Sequence, residues 1–142
     1  ESALNALVAA HYGVPIALVT GDQVTAAEAH ALVEEIETVE VKRSISRTAA
    51  ESVHPDVARR RIEEGAQRAI SRIAQIPPPR FPADTTIEVT FLTADMAEMA
   101  AWLRGVSLVA GQGRTVRLRG DDPLNLFRTF VTLVLLTRAL VE

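Results

Sequence analysis

The sequence predicts an α+β fold in which helices cover a mixed sheet, and three stretches carry that expectation. The first 22 residues read as a helix, a tight turn and an apolar strand. Residues 54–74 place apolar side chains at helical spacing behind a His-Pro-Asp start, with proline at its tolerated first position. Residues 86–91 alternate strictly between polar and apolar, as a half-buried strand does.

At the N-terminus, Leu4, Leu7, Val8 and His11 share a helix face, and Gly13 stands where a left-handed helix end is expected. Pro15 opens the run Ile16–Thr20, continuously apolar as a strand covered on both faces would be. Gly21-Asp22 closes that strand, and in layered α/β structures ligands gather outside the carboxyl ends of strands. Thr25 and Glu28 have the spacing of a capping box, with a helix to about Ile36 burying Ala29, Leu32, Val33 and Ile36. Thr38–Val41 reads as a short strand with one wet face. Ser44 to Val53 stays open between forms, although Thr48 and Glu51 are spaced to cap a single helical turn.

The long helix after His54 sets Val57, Ala58, Ile62, Ala66, Ala69, Ile70 and Ile73 against a charged face. The run Arg59-Arg60-Arg61, with Glu63 and Glu64 close by, reads as a solvated face laced with ion pairs rather than a phosphate patch. Ile76–Pro82 is proline-rich and is expected to be a stiff connector between two structural layers. Beyond it come the alternating strand, a helix from Ala94 to about Leu103 capped by Thr93, and two short strands, Val106–Val109 and Thr115–Leu118. Gly111-Gln112-Gly113 lies between those strands and not between strand and helix, which argues against a dinucleotide fingerprint. Asp122-Pro123 opens a last helix that is apolar nearly all round, suited to a core or to contact with a sister subunit.

A length of 142 residues suits a single domain, 1–142, and 48% hydrophobic with 23% charged residues is ordinary globular composition. A net charge of −3 and few aromatic side chains give no basis for nucleic-acid binding. The longest apolar run, Thr129–Thr137, is far short of the ~20 residues a membrane span needs. With no cysteine there is no thiolate metal site, and the composition leans towards a reducing, cytoplasmic setting. His11, His30 and His54 are scattered with no metal-binding spacing, so each reads as structural.

Two blocks carry a family resemblance. The first is Glu1-x-x-Leu4-Asn5-Ala6, followed by Tyr12-Gly13-Val14-Pro15 and Leu18-Val19-Thr20-Gly21-Asp22. The second is Val41-Lys42-x-x-Ile45-x-Arg47-x-Ala49, with His54-Pro55 further on. Together they resemble the D-aminopeptidase family of zinc peptidases. By length and order the likeness covers this whole chain but only the C-terminal half of a family member, a larger α/β metallopeptidase chain.

The resemblance implies a zinc-dependent exopeptidase that removes N-terminal, D-configured residues from short peptides and assembles into ring-like homo-oligomers. It places one ligand of a two-zinc centre on Glu1. The family's other ligands and its catalytic histidine lie upstream of this chain, so no catalytic residue is assigned here and the chain alone is expected to be inactive. Asn5, one helical turn after Glu1, is placed to orient its carboxylate. Asp22 stands near the expected site, but Gln23 departs from the family's Gly-Asp-Asp and weakens any role needing two acids. Lys42 and Arg47 match the second block and are expected near the site or pinning a turn. The competing reading, drawn from Thr86 onward, is a non-enzymatic ferredoxin-like module for small-molecule binding or oligomerisation.

Overall fold

The computed structural model describes residues 2–138, which divide into two compact units with the boundary between Arg80 and Phe81. That boundary falls inside the proline-rich stretch, where the sequence places a connector. The α+β class holds, with parallel pairing in one small sheet and antiparallel pairing in two others among the described residues.

In the first unit, helix α1 (Ser2–His11) ends as its sequence requires. Gly13 adopts φ 63, its N–H donates to the Ala10 carbonyl at 3.1 Å, and the Val14 N–H reaches the Ala9 carbonyl at 2.9 Å. These two bonds satisfy carbonyls that an unfinished helix end would leave without donors. Strand β1 (Leu18–Gly21), helix α2 (Gln23–Leu32) and strand β2 (Glu37–Glu40) then form a β-α-β turn with β1 and β2 parallel. The apolar run is less covered than its composition predicts: Ile16 to Val19 are half-buried and Thr20 is exposed. Val19 packs on a cluster of Ala29, Val33, Ile36 and Ile76, while Leu18 faces helix α3 (Pro55–Ser71).

Where α3 crosses β2, the helix presents Gly65, and a Cβ built there would lie 2.3 Å from Cγ2 of Val39. The absent side chain is what permits the approach. Arg68 and Arg72 reinforce it by pairing with the mostly covered Glu37 at 2.7 and 2.9 Å. Arg59 pairs with Asp56 and Arg60 reaches Glu64 at 4.0 Å, so the basic run is largely the solvated, ion-paired face that its sequence suggests. The apolar stripe is narrower than expected, because Ile70 and Ile73 are 70% and 42% exposed.

Residues 42–52, left open by the sequence, form a hairpin of β3 (Lys42–Ser46) and β4 (Ala49–Ser52), with an irregularity in the ladder between Ser44 and Ser46. No helical turn forms at Thr48–Glu51. Neither strand contains a buried residue. The hairpin is fastened to the start of α2 by Gln23, whose side-chain amide donates to the Ser44 carbonyl and accepts from the Ser44 N–H, both at 2.9 Å.

The second unit contains β5 (Thr85–Thr90), α4 (Ala94–Ala100), β6 (Val106–Val109), β7 (Gln112–Gly120) and α5 (Pro123–Arg138). Its antiparallel sheet runs β5-β7-β6, so β7 separates the two strands joined through α4, the split β-α-β arrangement. Val116 and Leu118 on the central strand are 0% and 1% exposed, with Met96, Ala97, Ala100, Leu126 and Leu133 also buried. Gly111, at φ 75, makes the tight turn into β7. The side chain of Asp122 accepts from the Leu124 N–H at 2.9 Å and caps α5. One stripe of α5, Leu126, Leu133 and Thr137, is buried; Val134, Leu135 and Leu136 are open to solvent. No described helix is long and apolar enough to cross a membrane.

Candidate functional site

Two of the chemistry-bearing side chains of the first unit, Asp22 and Lys42, stand at the carboxyl ends of the parallel strands β1 and β2. Asp22 follows β1 directly and is the N-cap of α2, in extended backbone geometry. Its carboxylate accepts the Thr25 N–H and the Thr25 hydroxyl, both at 2.9 Å. This corrects the capping box assigned to Thr25 and Glu28. The helix begins three residues sooner, and the aspartate is the acceptor that Thr25 serves as a donor.

The Thr25 N–H holds the Asp22 carboxyl below the usual aspartate range, its hydroxyl adds to this, and the positive charge of Lys42 contributes further. A depressed folded-state pKa means that the cap stabilises the fold above the ordinary aspartate pKa of about 3.9. The contribution is lost as pH falls through the lower, folded value. Carboxyl-carbon NMR is expected to show Asp22 titrating below 3.9, and Thr25→Ala should move that midpoint upwards. An Asp22 midpoint at or above the free-peptide value would contradict the cap as described.

Gln23, which takes the place of a second family aspartate, both donates to and accepts from Ser44. A carboxylate has no proton to donate at neutral pH and cannot make both bonds. The departure from Gly-Asp-Asp therefore has a structural use in this chain.

Lys42 lines a cavity of about 200 Å³ with Glu40, Arg43, Glu51, Ser52, Val53 and Arg61. Arg61 donates to the Glu40 carbonyl at 3.2 Å. Arg43 is the chain neighbour of Lys42, but strand pairing brings Glu51 to them and helix packing brings Arg61, with no spacing in the sequence to mark either. Asn5 belongs elsewhere in the same unit. It borders a mostly apolar cavity of about 160 Å³ with Ser2, Ile16, Val19, Ala29, Leu32 and Ile36. Arg47 sits exposed at the turn between β3 and β4 and does not line the cavity with Lys42. Glu1, the residue singled out as a metal ligand, lies outside the described residues.

Each histidine has a local partner. His30 reaches the Glu34 carbonyl at 3.1 Å and the Thr38 hydroxyl at 3.2 Å, linking the end of α2 to β2. His54 caps α3 by accepting from the Asp56 N–H at 3.3 Å. The His11 ring stands edge-on to Tyr12 at 4.8 Å. Among the described residues, no group of three or more His, Asp or Glu side chains converges in a way that would hold a metal ion. A zinc centre needs about that many converging ligands, so these side chains alone do not fit one.

The sequence profile of the family described as D-aminopeptidase matches residues 1–132. The chain belongs to the D-aminopeptidase family. A curated D-aminopeptidase from Bacillus subtilis (strain 168) is 30% identical over 133 residues, covering 94% of this chain and 48% of that protein. Among solved structures, the Zn-dependent D-aminopeptidase DppA from Bacillus subtilis, described as a self-compartmentalizing protease, superposes with a TM-score of 0.87 at 29% identity. It is matched over 96% of this chain and 49% of its own. The chain thus spans about half the length of the D-aminopeptidases it matches. The family match runs through the Arg80–Phe81 boundary and includes both compact units.

Proposed function

We propose that these 142 residues are half of a zinc-dependent aminopeptidase that hydrolyses N-terminal, D-configured residues from short peptides. The observation that carries the reading is the family match over residues 1–132, supported by the backbone likeness to a zinc-dependent D-aminopeptidase. In this reading Glu1 supplies one ligand of a two-zinc centre, and the remaining ligands and the catalytic histidine come from sequence beyond this chain. Bound zinc supplies Lewis acidity towards a peptide carbonyl and lowers the pKa of a water.

This chain's own part is positioning. Asn5 orients the Glu1 carboxylate, Asp22 shapes the strand end by capping α2, and Lys42 and Arg47 offer positive charge beside the substrate path. A homo-oligomer belongs to the proposal, supported by the description of DppA as self-compartmentalizing and by the solvent-exposed Val134, Leu135 and Leu136 on α5. The split β-α-β sheet of the second unit resembles a ferredoxin-like binding module, but a match spanning both units favours the peptidase.

The test compares two proteins, residues 1–142 alone and the full-length protein, for zinc retained through dialysis and D-alanine released from a D-alanyl dipeptide. The full-length protein is expected to keep zinc and to turn over, and to lose turnover to a chelator. Residues 1–142 are expected to do neither, since one carboxylate cannot hold zinc against water. A full-length protein without bound zinc or without dipeptide hydrolysis would overturn the reading.

A further inference from the structure

The cavity at the carboxyl end of β2 combines features that an ordinary charged surface lacks. Three cations, Lys42, Arg43 and Arg61, and two acids, Glu40 and Glu51, line it, leaving positive charge in excess. Elsewhere on α3 and at its C-terminal cap, Arg59, Arg60, Arg68 and Arg72 each have an acidic partner. Lys42 and Arg43, by contrast, form no ion pair among the described residues, although Arg43 stands opposite Glu51 in the β3–β4 ladder. Arg61 uses one donor on the Glu40 carbonyl, and a guanidinium has five.

The walls are also held in place. Gln23 fixes Ser44 from one side, and the Val53 N–H donates to the Val41 carbonyl at 3.1 Å at the base of the hairpin. The cations are therefore presented around a concavity by a fastened backbone. A volume of about 200 Å³ accommodates a carboxylate with a few attached atoms, since a water occupies ~30 Å³ in the liquid. Guanidinium groups match a carboxylate in a planar, two-pronged way.

We propose that this cavity binds a small organic carboxylate, and that in the peptidase it receives the free C-terminal carboxylate of a short peptide. The second half of that statement rests on the proposed function; the carboxylate site itself does not. Placing the charged end of a peptide here would let the enzyme prefer short, unblocked peptides, because only those present a carboxylate close to their N-terminus.

The binding test needs neither metal nor turnover. ¹⁵N–¹H spectra of residues 1–142 are titrated separately with N-acetyl-D-alanine, with N-acetyl-D-alanine amide and with inorganic phosphate. The acid is expected to give saturable shifts at the amides of Lys42, Arg43, Ser52 and Val53, and the amide none. The double variant Lys42→Gln/Arg43→Gln should raise the apparent Kd for the acid at least about tenfold, the equivalent of ~1.4 kcal/mol. Its unshifted resonances in residues 2–11 and 65–71, in the same unit as the substitutions, would show that this unit remains folded.

Equal shifts from acid and amide, no saturable shift, or unaltered binding by the double variant would each overturn the site. Saturation by phosphate with no response to the acid would overturn the carboxylate assignment. In the full-length enzyme the same double variant should raise KM for a free-acid dipeptide and leave KM for its amide in place. A uniform change for both substrates would overturn the peptide role while leaving the peptidase reading untouched.

Discussion

Glu1→Ala in the full-length protein is expected to lower turnover of a D-alanyl dipeptide by at least about 100-fold and to remove one metal equivalent. Loss of a hydrogen-bonding partner behind a metal ligand already costs ~10–100-fold in affinity or activity, and loss of the ligand itself should cost no less. Glu1→Asp keeps the carboxylate on a shorter arm and should retain part of both properties. His30→Ala is the matched control. Its ring links Glu34 to Thr38 at the surface, so its removal should leave metal content and turnover near the starting values. Metal content by atomic emission, measured beside turnover for the same preparations, decides the matter. A Glu1→Ala enzyme with full zinc and normal turnover would sink the ligand assignment.

Gly65→Ala should destabilise the first unit by about 1–3 kcal/mol, the range for forcing a methyl into a packed interior. The sign is the informative part. In an exposed helix the same change stabilises by roughly 1 kcal/mol, because alanine is the better helix former. Here the new methyl would meet Val39 Cγ2 at 2.3 Å, and Val39 is only 6% exposed with little room to turn away. Pairing the change with Val39→Ala should return part of the loss, since the two sites share one contact. Urea unfolding of the single and double variants provides the measurement. A Gly65→Ala protein as stable as its parent would show that α3 does not bear on β2 as closely as described.

Much of this architecture was legible because single residues carried the signal. Gly13 ended α1, Pro55 opened α3, Gly111 turned β6 into β7, and the alternation of Ile87 and Val89 marked β5. The sequence sets the start of α2 three residues late because Asp22 and Thr25 are both capping residues, and only geometry shows which accepts and which donates. The β3–β4 hairpin was illegible for a different reason. Lys42–Ser46 and Ala49–Ser52 bury nothing, so they show none of the alternation by which burial writes strands into sequence. Ile70 and Ile73 continued a helical period past the point where anything packs on it.

For the site, the resemblance pointed to Asp22 and Lys42, and the structure sets both at the carboxyl ends of β1 and β2. Arg43 adjoins Lys42 in the chain, whereas Arg61, on α3, joins them only through the fold. Nothing in their spacing announces a shared cavity.

The fastened but unburied hairpin has a consequence for how variation in this protein will be read. Substitutions in a core alter folding and function together, and abundance falls along with activity. Between Lys42 and Ser52, no side chain on either strand is needed to fill the interior. In a saturation library, that segment should tolerate replacement when the selection is for expressed protein and become restrictive only when the selection is for work done. Any gap between the two tolerance profiles would mark the hairpin as equipment rather than framework.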